Sequence, residues 1–102
     1  MLYAKKNIKK SSVQMYILLL NDFISHNNEK VKPLFVSLYE DTKGIIDNDK
    51  TFYNIQNRDF VPLVAYLINN HSDYFENINL TDLNKEHFSK LKTYLEEAAI
   101  SL

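Results

Sequence analysis

Residues Val13 to Ile24, VQMYILLLNDFI, are apolar at Val13, Met15, Tyr16, Ile17, Leu18, Leu19, Leu20, Phe23 and Ile24. At about 100° per residue these positions cover most of a helix's circumference rather than one stripe. Water would meet apolar surface on nearly every side, so other elements must enclose the helix. The stretch predicts the central helix of an all-α bundle.

A chain of 102 residues supports one modest core and not two. With 45% apolar residues and thirteen aromatics it reads as a folded globule. The absence of cysteine removes disulfides and thiolate metal sites and fits a reducing compartment. A net charge of −1 gives no overall field to draw in nucleic acid or an anionic membrane. Twelve Asn and eleven Lys against one Arg read as the residue usage of an AT-rich genome. One Gly and two Pro leave few sharp backbone features, as in helices joined by short polar loops.

Residues 1–10 form a basic arm with Lys5, Lys6, Lys9 and Lys10 and no acid, ahead of a single helical domain over 11–102. The uninterrupted apolar run behind it, Met15 to Leu20, is far short of the ~20 residues of a membrane span and has no small-residue cleavage site. A cytoplasmic protein without a targeting segment is expected. The four lysines are candidates for phosphate binding, as point charges without bidentate readout.

Ser11 or Ser12 can cap the first helix, which ends at Asn27-Asn28. The second has Pro33 in its first turn and the stripe Val31, Leu34, Phe35, Leu38 and Thr42, with Glu40, Asp41 and Lys43 outward. Gly44 suits the left-handed position past its end, with Ile45 folded back onto Tyr39. Residues 45–55 admit a small β-hairpin or a loop anchored by Phe52, Tyr53 and Ile55, and the loop is the preferred reading. The third helix opens near Asp59 with Pro62 in its first turn and Phe60, Leu63, Val64, Leu67 and Ile68 on one face; Ser72 to Phe75 adds a turn. The last helix runs from about Lys85 to Ile100, with Phe88, Leu91, Leu95, Ala98 and Leu102 on one face. The expected core is Ile17, Leu20, Ile24, Leu34, Phe35, Leu38, Leu63, Val64, Leu67, Phe88, Leu91 and Leu95.

Little in the chain points to catalysis. His26, His71 and His87 do not fall at metal-ligand spacing, and neither a phosphate-cradling glycine loop nor a nucleophile motif is present. Adjacent acids such as Glu40-Asp41 and Glu96-Glu97 point to different helix faces. No catalytic residue, metal or cofactor is assigned, and the chain reads as a non-enzyme. A helix-turn-helix would need a short joint before a basic helix, and one arginine in the chain weighs against base readout. The seven tyrosines lean towards interaction, because tyrosine is enriched where one end is buried and the other wet. Tyr39, Tyr66, Tyr74 and Tyr94 are the candidate partner-binding residues.

INLTDLNKEHFSKLKTYL (Ile78 to Leu95), with Phe88, Leu91, Tyr94 and Leu95 on a capped helix, resembles the late strand-and-helix segment of BTB/POZ domains. That resemblance implies an adaptor. The plan of four lysine-rich helices behind a basic start is similar to bacteriocin immunity proteins of low-GC bacteria, which implies action by occupying a partner protein. The expectation is an all-α, compact bundle of about four helices serving as a protein-interaction module of the immunity, antitoxin or inhibitor kind. The alternatives are a nucleic-acid-associated regulator using the N-terminal lysines, and a BTB-like adaptor. The partners implied are another protein first and nucleic acid second, with no membrane; self-association stays open.

Overall fold

Each long apolar stripe of the sequence becomes a helix in the computed structural model, which describes residues 7–100 and 102. The elements are α1 (Lys10–His26), α2 (Val31–Asn48), a 3-10 turn (Ile55–Asn57), α3 (Val61–Asn70), α4 (Ser72–Glu76) and α5 (Lys85–Ile100). There is no strand among the described residues. The hairpin reading of 45–55 is thereby corrected, as is the strand that the BTB resemblance places after Ile78. The fold is an all-α bundle in which α1 packs along α5 and against α2, while α3 packs on α2 and carries α4.

The helix ends show what local chemistry decides. Asn27 ends α1 in the left-handed conformation (φ 53°), its N–H donating to the Phe23 carbonyl at 2.9 Å. Asn84 caps α5, its Oδ1 accepting from the N–H groups of Glu86 and His87, while the His87 ring receives the Asn84 N–H. This is a capping box with His in the place of Glu. At the start of α1 the serines do not cap. The helix opens earlier, at Lys10, and Ser12 is buried in its first turn. Ile8 and Val13, both in the core, hold the positions of a hydrophobic staple, so tertiary anchoring starts the helix. Ile8 thus packs into the core just ahead of α1.

Gly44 does not end α2. The helix runs on to Asn48, and the left-handed residue is Asp49, with φ 51°. Gly44 lies where a Cβ would meet the Lys50 Cδ at 2.8 Å, because the Lys50 side chain crosses the helix there to reach Asp41. Asp49 is a poor residue for its position. A side chain at positive φ costs energy, and a negative charge opposes the carboxyl end of the helix dipole. Asp49→Gly is expected to raise stability by about 1 kcal/mol. A higher urea midpoint at unchanged slope is the result to look for, and a lower midpoint would contradict it.

The core departs from expectation in a consistent direction. Ile17 and Ile24 are only half-buried and Leu34 is 40% exposed, whereas Val13, Tyr16, Phe23 and Tyr39 are buried. The buried face of α1 is thus rotated towards Val13, Tyr16, Leu20 and Phe23. Met15 (57% exposed) and Leu18 (68%) face solvent, so α1 is not enclosed on every side. Leu102 is also exposed and extends no core stripe. The other expected core positions are buried.

Within this core the aromatic rings form a continuous series. Phe23 meets Phe88 at 4.7 Å, Phe88 meets Phe35 at 5.8 Å, and Phe35 stacks on Tyr39 at 5.9 Å. Tyr39 stacks on Phe75 at 5.9 Å, Phe75 meets Tyr74 at 5.2 Å, and Tyr74 meets Tyr94 edge-on at 5.6 Å. Centroid separations of 4.5–7 Å are those at which ring quadrupoles attract. The series runs from α1 through the centre and emerges at the contact of α4 with α5.

Candidate functional site

Where that series reaches the surface, α3, α4 and α5 build a half-exposed aromatic corner. Asn69 and Asn70 weaken the end of α3, and His71 ends it with non-helical backbone (φ −132°) before α4 begins at Ser72. The break lets the His71 ring lie flat on Tyr94, with centroids 3.6 Å apart and planes within 12°. Tyr74, the third residue of α4, meets the edge of the same Tyr94 ring. Lys90 stands one helical turn before Tyr94 and holds its ammonium 5.8 Å from the ring centroid, within cation–π range. Open grooves of about 370 and 200 Å³ flank the stack, one edged by Ser72, Asp73 and Lys90, the other by Tyr66 and Glu97.

The corner is polar at its rim and apolar at its base. Burial, followed by the neighbouring Tyr94, pushes the Tyr74 phenol above its ordinary pKa. The Tyr74 hydroxyl is buried and has no hydrogen-bond partner among the described residues. A buried hydroxyl left unpaired costs about 1–3 kcal/mol. The structure therefore keeps this ring against Tyr94 despite a polar penalty.

Three of the four candidate tyrosines, Tyr66, Tyr74 and Tyr94, come together here. Tyr39 does not. It is 6% exposed, with its hydroxyl donating to the Phe75 carbonyl at 2.9 Å, so it is a core residue without a surface to offer. Its place one turn after Phe35 was the signal for that. His71 and Lys90 were not among the candidates. The i, i+4 spacing of Lys90 and Tyr94 was readable in the chain, whereas the His71 stack depends on how α3 ends.

Lys5 and Lys6 lie outside the described residues. Lys9 pairs with Asp59 at 3.4 Å, and Lys10 is the first residue of α1. No group of three or more His, Asp or Glu side chains that could hold a metal occurs among the described residues. No described helix is long and apolar enough to cross a membrane.

The chain matches no protein-family model, and neither a curated protein nor a solved structure is significantly similar to it.

A second polar cluster has a different character. Asp41 is 8% exposed and accepts from Lys50 Nζ at 2.8 Å, the Asn54 backbone N–H at 2.9 Å and Asn57 Nδ2 at 2.8 Å. Asn57 Nδ2 also reaches Ser37 Oγ at 3.1 Å. Asp41 was expected outward; it is buried because the chain from Lys50 to Asn57 folds over this side of α2. Burial alone would raise its pKa. The hydrogen bonds from Lys50, Asn54 and Asn57 and the Lys50 charge outweigh that and hold the carboxyl below its ordinary value. All of its partners are structural, so the cluster fastens a loop.

Proposed function

We propose that this chain is a protein–protein interaction module of the immunity, antitoxin or inhibitor kind, acting in the cytoplasm, and that the tyrosine corner is its contact surface. The observation that carries the reading is the convergence of His71, Tyr74 and Tyr94, with Tyr66 and Lys90 beside them, on one half-buried patch. Rings fixed from below by the core lose little freedom on binding. Tyrosine is among the residues from which the energetic centres of interfaces are built. Such a module occupies a partner's surface and needs no catalytic group of its own.

The test is affinity capture from the cells of origin with immobilised wild-type chain, followed by titration of the captured protein. Truncating a central interface tyrosine typically costs at least about 2 kcal/mol, so Tyr94→Ala is expected to weaken binding roughly 30-fold. Lys90→Glu, on the exposed rim, checks the same surface without touching the core and is expected to give a smaller loss. Tyr94→Phe is expected to bind nearly as wild type. Equal binding by Tyr94→Ala and Lys90→Glu would overturn the assignment, as would the failure of the wild type to retain any specific partner.

A further inference from the structure

The outward side of α1 carries exposed apolar side chains. Met15 and Leu18, one helical turn apart, project into solvent as a ridge. Beside this ridge, between α1 and α2, lies an open groove of about 170 Å³. Tyr16, Leu38 and Phe60 contribute to it from the interior, with Leu19, Leu34 and Gln56 around them. A soluble chain that leaves a leucine 68% exposed next to an apolar groove presents a surface to be covered.

We propose that a second copy of this chain covers it, with the two α1 helices antiparallel about a two-fold axis near Tyr16 and Ile17. Three observations select a second copy over another partner. A two-fold interface sets a surface against itself, so ridge and groove must lie side by side on one molecule, as they do here. Charges near the axis would meet their own sign, and from Ser11 to Asn21 the helix has no charged residue. The nearest charges on α1 are Lys10 and Asp22, of opposite sign and equally far from the axis on either side. Antiparallel pairing brings Lys10 of each copy to Asp22 of the other. Parallel pairing would instead set each against its like. Asp22 Oδ2 already accepts from Asn28 Nδ2 at 2.6 Å, which fixes the carboxylate near the end of the helix. The groove is large enough to take one leucine side chain, and Leu18 of the second copy is the occupant.

Sedimentation velocity from micromolar to near-millimolar chain, at low and moderate salt, tests the proposal. A concentration-dependent dimer is expected. Leu18→Lys would place two like charges near the axis and is expected to weaken the dimer by at least about tenfold while leaving the Tm of dilute, monomeric chain unchanged. Asp22→Lys is expected to weaken the dimer, and Lys10→Glu combined with Asp22→Lys to restore it. A chain that stays monomeric at every concentration would overturn the proposal and leave the face to another protein. A dimer indifferent to Leu18→Lys would overturn it too, by placing the contact elsewhere. Neither result bears on the tyrosine corner, whose variants are read by a different binding assay.

Discussion

Phe88→Ala is expected to leave the protein largely unfolded at room temperature. Phe88 is fully buried on α5 and is the junction of the aromatic series, touching Phe23 of α1 at 4.7 Å and Phe35 of α2 at 5.8 Å. Truncating a buried phenylalanine costs about 3–5 kcal/mol through lost transfer energy and the cavity left behind. Each ring pair adds about 0.5–1.5 kcal/mol beyond area burial. A domain of this size has only about 5–15 kcal/mol in total, so the loss is of the same order as the whole. The helices around the cavity cannot collapse into it without displacing rings that hold one another. Far-UV circular dichroism and urea titration measure the outcome. A midpoint within a small fraction of wild type would mean that the aromatic series is not what joins α1, α2 and α5. Phe88→Leu, which keeps most of the volume but not the ring, is expected to fall between the two.

Such a junction was partly legible in the chain. The spacing of Phe88, Leu91 and Leu95 marks one face of a helix, and so does that of Leu63, Val64 and Leu67. Periodicity is set by the backbone and survives whatever packs against it. Helix ends were legible where the residue type itself suits the terminus, as at Asn27, which tolerates the left-handed conformation. They were not legible where tertiary contacts decide, as at Ile8 ahead of α1 or at Gly44, where Lys50 passes over the helix. The orientation of α1 was hidden for a related reason. A helix apolar on most sides does not say which side faces inward, and Met15 and Leu18 are chemically as suited to a core as Tyr16 and Leu20. The corner was half legible. Tyr66, Tyr74 and Tyr94 could be named as amphipathic rings, but only the break at His71 brings them to one place.

Asp41 was the residue most clearly misplaced by the sequence, and its replacement gives the second large effect. A lone carboxylate beside Glu40 reads as surface. The missing information was that the polar stretch from Lys50 to Asn57 carries donors of its own that need an acceptor once they turn inward. Asp41→Ala removes that acceptor and leaves the buried Asn57 amide with only Ser37, and the Asn54 N–H with no carboxylate. Hydrogen bonds to a charged group contribute about 1.5–3 kcal/mol each, and orphaned donors carry a further penalty, so a loss of about 2–4 kcal/mol is expected. It should appear first as fast amide exchange across residues 50–57, with the core still protected.

The pH dependence has a definite sign. The carboxyl's folded pKa lies below its unfolded value, so its contribution is complete above the ordinary carboxylate value of about 3.9. It is lost as pH falls through the lower, folded value. Wild type should therefore lose loop protection on acidification, whereas Asp41→Asn, which has no proton to gain there, should be less stable at neutral pH and flatter in acid. Asp41→Asn also presents an amide N–H₂ to donors on every side, so it cannot satisfy Lys50, Asn54 and Asn57 together. Exchange rates across 50–57 that match wild type in either variant would show that the loop is held by something other than this carboxylate.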